Sequence, residues 1–62
     1  MMEDGFYWAR IEGDYPEVVQ IIGTSLLAVG DYSYYMENGV WNNAWGVVDI
    51  KFMSGLLLPP ND

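Results

Sequence analysis

Cysteine and histidine are both absent from this chain of 62 residues, and Arg10 and Lys51 are its only cations. Without cysteine there is no disulfide and no thiol nucleophile. Without histidine there is neither the usual general base nor the usual nitrogen ligand for zinc. So short a chain sits near the size at which a hydrophobic core barely offsets the entropy of ordering the backbone. With disulfide and zinc excluded, a partner chain is the remaining source of stability, and 52% hydrophobic residues, 16% aromatic, exceed what one small core hides. Self-association as a dimer is expected. The competing reading places the tyrosines and tryptophans half-buried on a sheet face.

The shortage of cations excludes more. Nine acidic residues give a net charge of −7, so direct binding to nucleic acid or to an anionic membrane is not expected, because cations hold those ligands. Excess acid commonly serves solubility. It is also complementary to a basic groove on another protein, including one that normally holds nucleic acid. The acidic start, Met1-Met2-Glu3-Asp4-Gly5, lacks the basic character of a secretory or transit signal. The longest charge-free stretch, residues 18–30, is broken by Gln20, Gly23, Thr24 and Ser25 and falls short of the roughly 20 apolar residues of a membrane helix. A soluble, cytoplasmic protein is expected.

What is present reads as a single, mainly β domain: a small antiparallel sheet of about four to five short strands in a meander. Gly5-Phe6-Tyr7-Trp8-Ala9-Arg10-Ile11 is the first strand, with Phe6, Trp8 and Arg10 on one face and Tyr7, Ala9 and Ile11 on the other. Neither face is plainly polar, so both should meet apolar surface. Glu12-Gly13-Asp14 and Tyr15-Pro16 turn the chain into the β-branched strand Glu17-Val18-Val19-Gln20-Ile21-Ile22. Gly23-Thr24-Ser25 turns it again, and residues 25–29 form a short third strand ended by Gly30-Asp31.

Residues 31–45 admit two readings. Asn38-Gly39 is a type I′ hairpin signal that would set Glu37 opposite Val40 and Met36 opposite Trp41. Alternatively Asp31 caps a short helix over residues 32–37 that Gly39 ends. The hairpin or an irregular loop is preferred, since the stretch has no sustained helical spacing. Residues 47–52 alternate cleanly, so that Val48, Ile50 and Phe52 should face the core while Asp49 and Lys51 face water. Leu56-Leu57-Leu58-Pro59-Pro60 is an apolar tail, placed at an edge or as an arm because proline cannot join a central ladder.

Little here carries chemistry. A carboxylate pair hydrolyses glycosides only across a cleft for which this chain has little material. Neither Glu3-Asp4 nor Glu12, Asp14 and Glu17 has calcium-loop spacing. No catalytic residue, no metal site and no cofactor is expected, and the seven glycines punctuate turns rather than cradle a phosphate. The aromatic cluster Tyr32, Tyr34, Tyr35, Trp41 and Trp45 is the surface of most interest, because tyrosine and tryptophan dominate binding hot spots. Core and sheet packing accounts for Trp8 and Trp45; Tyr32, Tyr34 and Tyr35 stand evenly between interface and packing.

The opening Gly5-Phe6-Tyr7-Trp8-Ala9-Arg10, Glu17-Val18-Val19, Gly30-Asp31-Tyr32 and the closing Gly55-Leu56-Leu57-Leu58-Pro59-Pro60 resemble small phage- and prophage-encoded proteins. Residues 31–45 depart most from that pattern. The resemblance carries over no functional residue. It implies a job common among small acidic phage proteins, the inhibition of host machinery such as CRISPR effectors and other defence complexes. The leading expectation is therefore a non-enzymatic inhibitor that binds a host protein with a basic surface by steric occlusion, mimicking nucleic-acid charge. Its candidate electrostatic contacts are Glu3, Asp4, Glu12, Asp14, Glu17, Asp31 and Glu37, and its candidate anchors Tyr32, Tyr34, Tyr35 and Trp41. The alternatives are a self-associating assembly protein and a glycan-binding module, the latter resting on aromatics interleaved with Asn42 and Asn43.

Overall fold

In the computed structural model, which describes residues 2–58, all regular structure is strand. The order is β1 (Gly5–Ile11), β2 (Glu17–Ile22), β3 (Ser25–Leu27), β4 (Ser33–Glu37), β5 (Val40–Asn43), β6 (Gly46–Val47) and β7 (Ile50–Phe52). They form one antiparallel sheet, ordered β6-β5-β4-β3-β2-β1-β7, curled into a half-barrel. Antiparallel neighbours joined by short turns suit this glycine-punctuated chain, because each turn has a residue that tolerates positive φ. Asn38 (φ 54°) and Gly39 (φ 78°) make the expected hairpin, with Glu37 opposite Val40 and Met36 opposite Trp41. Residues 31–45 contain no helix.

Two further turns that the sequence places, at Glu12-Gly13-Asp14 and at Gly30-Asp31, are also built on positive φ. Glu12 (φ 53°) and Gly13 (φ 73°) form a tight turn closed by the Asp14 amide donating to the Ile11 carbonyl at 3.0 Å. Gly30 (φ 83°) and Asp31 (φ 63°) reverse the chain between β3 and β4, where the Ala28 amide donates to the Tyr32 carbonyl at 2.8 Å.

The expected strand over residues 47–52 is bent in two. β6 pairs with β5, while β7, only two residues on, pairs with β1 at the opposite edge of the sheet. Two connecting residues cannot cross a flat seven-stranded sheet at about 4.8 Å per strand, so the sheet must curl with tilted strands until its edges meet at Val48 and Asp49. The Val48 amide still donates to the Trp41 carbonyl at 2.9 Å, and that contact carries the β5 pairing to the bend. The strand count therefore rises from the expected four to five to seven, through this bend and the 33–43 hairpin. The third strand is shorter than expected, ending at Leu27.

Alternation decides the core. Tyr7, Ala9, Val19, Ile21, Leu26 and Val48 are buried, and Ile11, Tyr34, Trp41, Ile50, Phe52 and Leu56 are partly buried against that centre. The Phe52 ring stacks edge-on to Tyr7 at 5.7 Å and leans on Trp41 at 6.3 Å, so three aromatics from β7, β1 and β5 fill the seam that the curl creates. Val48, Ile50 and Phe52 face inward and Asp49 and Lys51 outward, as the alternation of residues 47–52 demands. β1 differs from expectation on its second face. Tyr7 and Ala9 are buried, yet Phe6 and Trp8 on the outer face remain 49% and 43% exposed.

The tail is an edge element up to Leu58. The Leu57 amide donates to the Phe6 carbonyl at 2.8 Å, and Leu56 packs against Gly5, where a β-carbon would meet the Leu56 side chain. Pro59 and Pro60 of the expected arm lie outside the described residues.

Candidate binding face

The turn after β1 and the reversal between β3 and β4 lie at the same end of the half-barrel and bring distant acids together. Glu12, Asp14 and Glu17 frame a recess of about 320 Å³ whose other walls include Ile11, Ala28, Tyr32 and Tyr34. Glu17 starts β2 opposite the buried Ala9 and therefore points toward the interior side. Asp31, Tyr32 and Tyr34 continue into a second recess of about 460 Å³ that also takes in Tyr35, Asn43 and Trp45. Seven of the eleven expected binding residues thus converge on one end.

Electrostatically the recess is consistent with this placement. The Tyr34 hydroxyl is held above its ordinary pKa of 10.0, first by burial and then by the negative charge of Glu17, with Tyr32 and Glu12 adding to it. Carboxylates beside tyrosine faces form an environment for a cation carried on an apolar stem. The carboxylates accept its hydrogen bonds, and the rings cover its methylenes and meet its charge. Lysine and arginine side chains have that chemistry. No group of three or more carboxylates among the described residues is placed to hold a metal ion.

Glu12 has a second task. Its amide donates to the Asp49 carbonyl at 2.7 Å, and its carboxylate accepts from the Asp49 amide at 3.2 Å. Both backbone groups of Asp49, stranded at the bend between β6 and β7, are satisfied by one residue held in the left-handed region. Non-glycine residues seldom adopt that conformation without compensation.

The remaining candidates lie elsewhere. Asp4 accepts from the Gly23 amide at 2.8 Å at the opposite end of the sheet, and the carbonyl of its neighbour Glu3 accepts from the Tyr7 hydroxyl. Glu37 is exposed at the β4–β5 hairpin, opposite Val40. Trp41 was expected as an anchor; its ring instead faces inward onto Phe52, because position 41 falls on the core-facing side of β5.

Two exposed aromatics lie outside the expected binding residues. Trp45, read as a packing residue, is 90% exposed. Its amide and that of Gly46 both donate to the Asn43 side-chain oxygen, at 2.8 and 3.0 Å, and this side-chain turn leaves the indole outside the sheet. Tyr15, 86% exposed, follows Asp14 in the β1–β2 connection. The sequence signal for both was available: each sits in a connection between strands, where alternation no longer assigns a side chain to the core.

No protein-family model matches the chain, and no curated protein or solved structure matches it.

Proposed function

We propose that this chain is a non-enzymatic binding protein whose acidic end occupies a basic surface on another protein and blocks it sterically. The observation that carries this reading is the convergence of Glu12, Asp14 and Glu17 on Tyr32 and Tyr34 around one recess, with Asp31 and Trp45 beside it. An acidic coat serving only solubility has no need to gather its charges around aromatic rings. The target class implied by the resemblance to phage proteins is a nucleic-acid-handling defence complex, whose channels are lined by lysine and arginine. Charges arranged this way give association rate and register, while the exposed tyrosines and Trp45 supply contact area.

A short arginine-rich peptide is the direct probe, titrated against the protein by tryptophan fluorescence. The triple variant Asp14→Asn, Glu17→Gln, Asp31→Asn removes three acids at this end. Glu3→Gln, Asp4→Asn, Glu37→Gln removes three elsewhere, so the net charge of the two is equal. The first should weaken binding by roughly 30-fold and the second by less than about threefold, since nearby charges exceed screened distant ones. Equal losses would mean that the peptide responds to net charge alone, and the assignment of this end would fall.

A further inference from the structure

We propose that the outer face of β1, β2 and β3 is a self-complementary wall on which a second copy of this chain docks about a two-fold axis. This surface is separate from the acidic end and does not depend on its role.

The register of the sheet defines the wall. Phe6 lies opposite Gln20, which lies opposite Leu27; Trp8 lies opposite Val18; and Ile22 lies opposite Ser25. All of these point away from the core formed by Tyr7, Ala9, Val19, Ile21 and Leu26. Phe6, Trp8, Val18, Ile22 and Leu27 are each between about a third and a half exposed, and Met53 borders them where its amide bonds the Trp8 carbonyl. Together they offer roughly 500 Å² of apolar surface. That is about what one partner supplies to a standard homodimer interface burying ~800 Å² per side, two-thirds of it apolar. The closed interior, with six buried apolar residues among those described, is small for a domain that has no disulfide.

Charge selects the occupant. In a chain of net charge −7, the outward positions of β1, β2 and β3 carry no carboxylate, and the only two cations, Arg10 and Lys51, are paired across β1 and β7 at one end of the wall. Asp4, tethered to Gly23, stands at the other end. A two-fold axis passing the wall at residue 7 exchanges Phe6 with Trp8 and Asp4 with Arg10. Each aromatic then meets the other aromatic, and each Asp4 meets an Arg10, reciprocally as an isologous interface requires.

Sedimentation equilibrium over about 1–200 µM protein at 0.15 M salt tests this. The expected result is a reversible dimer. Trp8→Glu, which would bury an unpaired charge at the centre, should raise its dissociation constant at least about 100-fold. Arg10→Glu should raise it about tenfold while leaving the apolar centre and the fold intact, as checked by circular dichroism. Trp45→Glu, at an exposed tryptophan outside the wall, should leave it unchanged. A wild-type monomer throughout this range overturns the proposal, as does a dimer indifferent to both Trp8→Glu and Arg10→Glu, or one that Trp45→Glu dissociates as effectively. The peptide titration reads the recess around Glu12, Glu17 and Tyr34 rather than the outer wall, so either result can fail without the other.

Discussion

Added salt should drive the two interaction surfaces in opposite directions. Two copies of net charge −7, each 19 Å along the shortest dimension, bring their charge centres to about 20 Å on docking. In water the unscreened repulsion between such bodies is about 10 kcal/mol. It falls to about 5 kcal/mol at 0.01 M salt, where the Debye length is ~30 Å, and to about 1 kcal/mol at 0.15 M, where it is ~8 Å. Placing the charge at the centres overstates the cost, because the facing walls carry the cations. A change of at least about 3 kcal/mol remains, so the dimer should tighten by roughly 100-fold across this range. Docking of the arginine-rich peptide at the acidic end should weaken over the same range, since its attraction is screened. Sedimentation equilibrium and peptide titration at the two salt concentrations read both. A dimer that loosens as salt rises would refute the reasoning, because its dominant contact would then be between acidic and cationic surfaces rather than across the apolar wall.

Two further predictions concern the acidic end itself. Glu12→Ala removes the carboxylate that holds the Asp49 amide and should cost about 1 kcal/mol, lowering the thermal midpoint by about 5 °C. Glu12→Gly loses the same bond but relaxes the left-handed backbone and should fall close to wild type, whereas an alanine variant as stable as wild type would refute the latch. The raised pKa of Tyr34 should appear in an ultraviolet absorbance titration as one phenol ionising late. Glu17→Gln or a bound arginine-rich peptide should bring it down. Because the folded value lies above the unfolded one, the stabilisation from neutral Tyr34 is complete below the unfolded value of about 10 and is lost as pH rises through the folded value. Stability that is flat across that interval would contradict the placement of Tyr34 beside Glu17.

The sheet was legible wherever one local rule decided the outcome. Residues 5–11 and 17–22 alternate or branch strongly enough to mark their own ends, and Asn38-Gly39 set both turn and register. The bend at Val48 and Asp49 was not legible, because nothing in residues 47–52 breaks their alternation. The strand divides only because one half must pair with β5 and the other with β1, a demand of closure rather than of local sequence. The candidate site was legible in composition but not in location. The acids and tyrosines were identified, yet which of them share a recess depends on the turns at Glu12-Gly13 and Gly30-Asp31, where an acidic residue takes a conformation more often given to asparagine. Trp41 and Trp45 exchanged roles for a related reason. Trp41 lies on a strand, where parity fixes its direction, and Trp45 lies past the end of one, where Asn43 fixes it instead.

The placement of charge follows from that architecture. No carboxylate is fully buried among the described residues, and the apolar outer wall carries none. The described acids therefore gather in the connections and at the strand ends beside them, which a meander delivers to the two ends alternately. One end holds Glu12, Asp14, Glu17 and Asp31; the other holds Asp4 and Glu37. Tyrosines flank only the first group, through Tyr15, Tyr32 and Tyr34. A dimer formed about residue 7 reverses one copy relative to the other, so its two acidic ends point in opposite directions and cannot both engage one compact basic patch. If both proposals hold, the assembled protein presents two equivalent acidic ends and should bind two copies of its target. The ratio of chains to target in a purified complex therefore tests the geometry of the wall and the function of the end together: two targets on a dimer agree with both, and one target on a dimer contradicts the two-fold arrangement.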